Sequence, residues 1–546
     1  MILASRTGRR AMTALRRRPQ ITLLLLCLAL PPAAAEPLAD VQELHRGNAA
    51  EPNSLDPHRA EGVPSANILR DLFEGLTTEA PDGRVVPGVA ERWTISSDGL
   101  RYRFHLREDA RWSNGDPVTA EDFAFSLRRS VDPATGSNYS KVFEPVRNAG
   151  EIIAGRLPAD ALGVAAVDQR TLDIELEHPA PYLLGLLTHS SAYPVHRPSV
   201  EQHGQAFARA GRLIGNGAYR LDEWVIQSRI ALVRNPHYWN DDQTVIERVV
   251  YYPTENQASE FKRYRAGELH WTDVIPKNQV RWIREHLAEE FRASPYLGTY
   301  YYGFNLDREP FRDAPALRKA LALAIDRETL TGKLLATGEL PAYGWVPPGI
   351  HGYPRVELPW ADWSPERRLA EARRLYAEAG YTRERPLRVE LRYNTQDDHR
   401  KIAIAVAYMW RRALGVETTL INQEWKVFLQ NRRFGRVTEV FRAAWISDYS
   451  DPYSFLELFR SDNNLNDTGY RNPRYDALLA DASNEPEAGR RSALMAQAEA
   501  VLLEDLPIAP IYHYVSARLV KPSVRGWQAN PLDHHYTRSM YLVQTP

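Results

Sequence analysis

Hydrophobic and polar residues alternate in several short stretches of the chain, and this alternation predicts half-buried β-strands. Residues 102–106 carry Tyr, Phe and Leu at every second position, residues 172–176 carry Leu, Ile and Leu, and residues 387–393 read LRVELRY. In an extended strand such residues share one face, so each stretch has one side suited to a core and one suited to water.

Other stretches have helical spacing and recognisable helix ends. Ser364 and Pro365 begin a predicted helix, as N-cap and first-turn proline, and Gly380 ends it. Two further helices are predicted over residues 313–325 and 402–414. Helices that alternate with strands over this length are typical of α/β layers rather than of an all-β sandwich or a helical bundle.

Two aromatic stretches interrupt this alternation, SPYLGTYYYGFN at 294–305 and PIYHYVSAR at 510–518. Each has strand-forming residues followed by a change of pattern. Two chain crossings between a pair of lobes would have this appearance, and ligands bind beside such crossings. The alternative for the run Tyr300-Tyr301-Tyr302 is a strand packed on both faces.

The first 35 residues have the parts of a secretory signal peptide. Six arginines precede an apolar run at 21–30, and the segment closes on Pro-Pro-Ala-Ala-Ala. We expect cleavage after Ala35 and release into the periplasm. Lipidation of Cys27 is not expected, because Leu26 precedes it where a lipobox carries a small residue.

Removal of that segment changes the charge and cysteine content. Subtracting its six arginines from 68 basic residues leaves 62 against 69 acidic ones, a net charge of −7. A mildly acidic surface argues against nucleic-acid binding. The single cysteine, Cys27, leaves with the signal, so no disulfide or thiolate ligand is expected. The remaining length suits two or three domains.

Motifs for catalysis or cofactor binding are absent from the sequence. It has no glycine-rich phosphate loop, no GxSxG, no HExxH and no cysteine-based motif. The acidic pair Glu121-Asp122 follows Thr119, where a helix start explains it better than acid–base chemistry. Neither an enzyme nor a cofactor or metal site is expected, although a carboxylate dyad would leave no reliable signature.

The segment 441–451, FRAAWISDYSD, carries a charge near each end of a strand-like stretch. Arg442 and Asp448 are six residues apart, so in a strand they share a face, roughly 20 Å apart at about 3.3 Å per residue. A zwitterion such as a short peptide would fit between them. The alternative is an ordinary strand with a charge at each end.

Segments along the whole chain resemble the periplasmic solute-binding proteins of peptide ABC importers, family 5. The segments are SLDPHRAEGVPSANILRDLFEGL (54–76), AERWTISSDGLRYRFHLREDARWSNGDPVTAEDFAFSLRRSVDP (90–133), NGAYRLDEWV (216–225), RNPHYWN (234–240), PAYGWVPP (341–348), NQEWKVFL (422–429) and YVSARLVKP (514–522). The resemblance implies a two-lobed α/β fold of type II with an extra α/β domain inserted in the first lobe. Lobe I would comprise 36–73, 197–300 and 516–546, the insert 74–196, and lobe II 301–515.

The resemblance also implies a set of ligand-binding residues. Asp448 falls where the family's aspartate binds the peptide ammonium, and Arg442 and His399 fall where the peptide carboxylate is bound. His399 could instead be a helix-start residue, and Trp425 a plain core residue. The residues expected to line the cleft are Glu61, Val63, Tyr139, Tyr301, Trp425, Ala444, Trp445 and Tyr514.

The chain departs from the family pattern in three respects. Gly298 and Ile446 stand where enteric relatives have a cysteine pair, so that cross-link is not expected here. The segment 434–439 is one residue longer than in relatives. Arg355 is the only basic residue near the position of a family lysine that serves longer peptides.

The sequence therefore predicts an exported, monomeric receptor that captures short oligopeptides in an interlobe cleft. It would deliver them to an inner-membrane ABC permease. A receptor for murein tripeptide or another modified peptide is the nearest alternative, and a peptide sensor read by a membrane receptor is another.

Overall fold

A computed structural model describes residues 36–350, 352–433, 439–447, 449–485 and 487–544, except the side chains of Trp425, Lys426, Leu429 and Arg433. The expected signal peptide, most of the long segment at 434–439, and Asp448 lie outside these ranges. The fold described is that of the compact unit Leu38–Pro546. Within the described ranges no helix is long and apolar enough to cross a bilayer.

Strands and helices interleave along the chain. The strands in the described residues are β1 (Glu43–Gly47), β2 (Thr77–Glu79), β3 (Val85–Pro87), β4 (Ala90–Ile95), β5 (Arg101–Leu106), β6 (Val164–Asp168), β7 (Thr171–Glu175), β8 (Tyr219–Val225), β9 (Arg229–Arg234), β10 (Arg248–Tyr252), β11 (Phe291–Phe304), β12 (Leu340–Pro341), β13 (Arg388–Asn394), β14 (Glu417–Gln423), β15 (Val440–Ile446), β16 (Ile508–Leu519), β17 (Val524–Arg525) and β18 (Tyr541–Leu542). The α-helices are α1 (Val63–Leu72), α2 (Ala120–Val131), α3 (Ala149–Ile153), α4 (Leu183–Leu186), α5 (Arg197–His203), α6 (Gln257–Arg265), α7 (Val280–His286), α8 (Pro315–Leu323), α9 (Arg327–Thr329), α10 (Pro365–Glu378), α11 (Asp397–Leu414), α12 (Trp425–Arg433), α13 (Tyr453–Leu456), α14 (Pro473–Asn484) and α15 (Ala488–Asp505).

Three sheets of four or more strands organise these elements, and the described residues also form two sheets of two strands, β2-β3 and β17-β18. The strand order is β1-β10-β9-β8 in one, β4-β5-β7-β6 in the second, and β12-β16-β11-β15-β13-β14 in the third and largest. The second sheet is antiparallel throughout, whereas the other two mix parallel and antiparallel pairs. The predicted α/β layering is therefore confirmed.

The predicted elements lie close to where the sequence patterns put them. The alternating stretches at 102–106 and 387–393 lie in β5 and β13, and the stretch at 172–176 lies in β7 except for its last residue. Ser364 caps α10 by accepting a hydrogen bond from the Arg367 N–H, and Thr119 caps α2 within a reciprocal capping box. Helix α11 begins at Asp397, five residues earlier than predicted, because two aspartates occupy its first turn.

The two aromatic stretches are neighbouring antiparallel strands, β11 and β16. They pair from Phe291–Leu519 to Gly303–Ile508, with irregularities after Pro295 and after Tyr300. At one end Val520 bridges Trp271, which in turn bridges Arg46 of β1, so this end reaches the first sheet. The pair therefore connects the first sheet with the third. This is the geometry that chain crossings between lobes require, while the lobe boundaries themselves remain a prediction.

Candidate functional site

One half of strand β15 has a neighbour on only one side. It pairs along its length with β11, from Gly298–Ile446 to Phe304–Val440, but β13 reaches only Val440 and Phe441. The Ser447 N–H donates to the Leu297 carbonyl at 2.8 Å, so odd-numbered residues turn their backbone groups toward β11. Ala444 and Ile446 therefore turn theirs away from β11, where no described strand pairs with them.

A cavity of about 340 Å³ adjoins this free edge. The cavity is also lined by residues 60–63 and by the face of helix α1 that carries Ala66, Asn67 and Arg70. Gly62 adopts a φ of +82° and offers no side chain to cap α1, so the helix begins at the cavity with its first N–H groups uncapped. Val63 is 42% exposed.

Arg442 extends from β15 into a ring of aromatic and polar side chains. Its guanidinium donates to the Tyr514 hydroxyl at 3.0 Å and to Asn394 Oδ1 at 3.3 Å, and it lies 4.9 Å from the centre of the Tyr300 ring. The residue is only 7% exposed and lines the cavity. Among the described residues no carboxylate forms an ion pair with it, and its Nε has no hydrogen-bond partner.

His399 lies behind Tyr300, at a ring distance of 5.5 Å, near the start of α11. Burial, and to a lesser degree the Arg442 charge, lowers the pKa of His399 well below its usual range, so the ring is neutral. Its Nδ1 is buried without a hydrogen-bond partner in the described part of the chain. The structure thus brings His399 and Arg442 together around one tyrosine, although His399 does not line the cavity itself.

Two of the predicted aromatic residues, Tyr139 and Trp445, lie at the junction of two cavities. Both line the first cavity and a second one of about 380 Å³, whose other walls include residues 140–142 and 463–465. Such paired cavities on either side of an aromatic residue suit a ligand with more than one side chain. Glu61 and Ala444 also line the first cavity.

Two other predicted cleft residues, Tyr301 and Trp425, are not among the residues described as lining the first cavity. Tyr301 belongs to the other face of β11, where its ring packs 5.0 Å from Trp345 and 6.0 Å from Phe459, and it does not line the first cavity. The tyrosine of this run that meets Arg442 is Tyr300. Trp425 begins α12, and its side chain lies outside the described part, as does Asp448.

The structure adds cavity residues that the sequence did not single out. They are Asn67, Arg70, Asn138, His189, Tyr296, Arg432, Asp533 and His534. Arg70 follows Val63, Ala66 and Asn67 at helical spacing, a signal present in the sequence but indistinguishable there from a core-facing stripe. Among the described residues no group of three His, Cys, Asp or Glu side chains is arranged to hold a metal ion.

The comparisons by sequence and the comparison by structure all lead to one group of proteins. Residues 84–467 match the bacterial extracellular solute-binding proteins, family 5 Middle. The periplasmic oligopeptide-binding protein OppA of Escherichia coli K12 is 43% identical over 523 residues, 95% of this chain and 96% of that protein.

Two solved structures share the fold. The E. coli murein tripeptide binding protein MppA gives a TM-score of 0.89 at 42% identity, and Haemophilus influenzae OppA in complex with RPPGFSPFR gives 0.87 at 40%. Each match covers 93% of this chain and 100% of the other. The predicted two-lobed α/β fold of type II is confirmed by these likenesses. As its sequence motifs indicated, the chain belongs to the bacterial extracellular solute-binding proteins of family 5.

Proposed function

We propose that this protein is an exported receptor that captures short oligopeptides and delivers them to an inner-membrane ABC permease. The observation that carries the proposal is the free edge of β15 at residues 443–446, beside a cavity that residues 61–63 also line. An extended peptide presents a row of N–H and C=O groups, and adding it as a strand satisfies them whatever its sequence. The similarity to OppA supports the same ligand class.

The charge of Arg442 supports a ligand with a carboxylate. A buried guanidinium is costly when no anion compensates it, and the described residues supply none. The C-terminal carboxylate of a peptide would supply that anion, with neutral His399 close behind. Asp448 is proposed to bind the peptide ammonium at the other end.

Several further features belong to the same proposal. Family 5 solute-binding proteins are binding receptors rather than enzymes, and we extend this to the absence of any catalytic activity here. We also propose a cleaved signal peptide at 1–35, a monomer free of lipid in the periplasm, and the lobe boundaries given above. Closure of the lobes would hide the charged ends of the peptide from water.

A murein peptide is the second candidate ligand. The structural match to MppA supports it, because that match, with a TM-score of 0.89, is as good as the match to the peptide-bound OppA structure, with 0.87. The scaffold would be the same, and only the chemistry of the side-chain cavities would differ.

Native mass spectrometry of the protein purified from the periplasm tests these candidates. Co-purified short peptides of mixed sequence are the expected result, and a single muropeptide would favour the second candidate. A protein that carries no peptide and takes up none when peptides are added would refute both.

Calorimetry with defined peptides tests the role of Asp448. Asp448→Asn is expected to weaken binding of free-amino peptides by roughly 2–5 kcal/mol if the ammonium is buried. Equal binding of N-acetylated and free-amino peptides by the wild type would contradict the assignment.

A further inference from the structure

We propose that Arg70 makes this receptor select acidic peptides, meaning peptides with a carboxylate in an internal side chain in addition to the terminal one. The inference rests on the proposed peptide-binding function and names the class of peptide. It concerns the part of the cavity lined by helix α1, not the part lined by Arg442 on β15.

Arg70 is a buried cation at the cavity. It lies on α1, is 8% exposed, and lines the cavity together with Val63, Ala66 and Asn67 of the same helix. Its hydrogen bond within the described residues is a long one of 3.4 Å from Nη1 to Asn67 Oδ1. No described carboxylate lies within ion-pair distance of its guanidinium.

The described titratable groups around Arg70 interact with its charge but do not form an ion pair with its guanidinium. Glu79 is buried and lies close enough for Arg70 to lower its pKa, but it forms no contact ion pair with Arg70 in the described part of the chain. Its Oε2 accepts hydrogen bonds from His534 at 2.8 Å and Tyr536 at 3.3 Å. Burial, followed by the Arg70 charge, lowers the pKa of His189 to about 3 and also lowers that of His534. Both imidazoles are therefore neutral near pH 7.

The other acidic groups lining the cavity are engaged as well. Asp533 is ion-paired with Arg518 and bonded to His535 at 2.8 Å, and Glu61 accepts a hydrogen bond from Asn138. These carboxylates are held by their neighbours, so neither is free to approach the cation on α1.

The arginines that line the cavity differ in whether a described carboxylate forms an ion pair with them. Arg432 is paired with Asp467 at 2.5 Å, whereas Arg70 and Arg442 have no such pair among the described residues. A zwitterionic peptide brings one carboxylate, which Arg442 takes. Arg70, on α1, then has its guanidinium available for a second carboxylate, and arginine binds carboxylates especially well through two parallel hydrogen bonds.

An extended ligand can bring a side-chain carboxylate to Arg70. Successive side chains of a strand point to opposite faces, so a peptide paired with the β15 edge directs alternate side chains toward and away from a given wall. A glutamate or aspartate at an internal position would reach Arg70 without disturbing the backbone pairing or the terminal charges.

Matched peptides test the proposal by calorimetry on the full mature protein. Alanine tetrapeptides with Glu or Gln at one internal position differ by a single charge at constant shape. At one of the internal positions the wild type is expected to bind the Glu peptide about tenfold more tightly or better. Arg70→Gln should reduce this ratio to about one.

The control variant is Arg59→Gln, which makes the same change of charge nearby but at a residue that does not line the cavity. It should keep the Glu preference of the wild type. Equal affinities for Glu and Gln peptides at every internal position in the wild type would overturn the proposal, as would a preference that persists in Arg70→Gln. Failure of the wild type to bind any of these peptides would instead refute the proposed function.

A measurement on the wild type alone covers the case in which Arg70→Gln does not fold. The carboxyl group of a ¹³C-labelled Glu in the bound peptide should titrate below its value in the free peptide, because the guanidinium stabilises the anion. A carboxyl group that titrates at or above its free value would overturn the assignment.

Discussion

The carboxyl group of Glu499 should make the protein less stable in neutral than in mildly acidic solution. Glu499 lies in α15 and is fully buried. Its Oε1 accepts hydrogen bonds from the Trp345 N–H at 2.7 Å and the Val346 N–H at 2.9 Å, and its Oε2 accepts one from the Tyr353 hydroxyl at 2.7 Å. It therefore fixes the segment that includes these three residues.

Burial, despite these hydrogen bonds, raises the pKa of Glu499 from 4.5 to about 7. The protonated form is thus favoured in the folded state, and its stabilising effect is complete below pH 4.5 and lost as the pH rises through 7. At about 1.4 kcal/mol per pH unit, the loss amounts to roughly 3 kcal/mol of unfolding free energy above pH 8.

The perturbation is Glu499→Gln, which keeps an acceptor for the two N–H groups and a polar partner for Tyr353 but does not titrate. Urea unfolding of wild type and variant at pH 5 and pH 8 gives the change in unfolding free energy at each pH. The variant should gain about 2–3 kcal/mol more, relative to the wild type, at pH 8 than at pH 5. Titration of buried histidines cancels in this difference, because both proteins contain them.

Glu504→Gln is the control, since Glu504 is exposed on the same helix. It should shift stability equally at both pH values. If wild type and Glu499→Gln have the same pH dependence, Glu499 is ionised in the folded protein at neutral pH and the reasoning from burial is wrong.

Three further predictions concern individual contacts. Arg442→Gln should weaken binding of peptides with a free carboxyl end by about 2–5 kcal/mol in calorimetry, and an equal loss for amidated peptides would contradict the assignment. Tyr182 stacks on Tyr449 at 5.1 Å and 9°, so Tyr182→Ala should weaken peptide binding by about 1 kcal/mol if this contact stabilises the closed form, whereas Tyr182→Phe should not. Unchanged affinity in the alanine variant would refute that. Gly298 and Ile446 face each other in register, and cysteines at both positions should form a disulfide that raises the unfolding free energy by about 2–4 kcal/mol, an effect absent in reducing agent.

The sequence was sufficient to predict elements whose determinants are local. The alternation at 387–393 identified β13, and Ser364 with Pro365 identified the start of α10, because the strand face and the helix cap each depend on a few neighbouring residues. Arg442 was likewise found from the charge pattern of its own strand.

Other features could not be predicted because they depend on distant partners. The free edge of β15 exists because pairing with β13 stops at Phe441, and no pattern within either strand determines where that pairing ends. Arg70 lies on an amphipathic face that would read the same on a core helix. The sequence shows that Tyr300 and Tyr301 lie on opposite faces of a strand. It does not show which of the two faces contacts Arg442.

The free edge of β15 also explains why the ligand should be short. An unpaired strand edge is normally a site of aggregation, since any other strand can add to it. Here the edge residues Ala444 and Ile446 are only half-buried but are enclosed by Trp445, Tyr139 and helix α1 around one cavity. The open part, residues 443–446, spans about 13 Å at about 3.3 Å per residue, which is the length of a few ligand residues. A strand of a folded protein cannot enter such an enclosure, whereas a short peptide can, so the enclosure both protects the edge and limits the ligand.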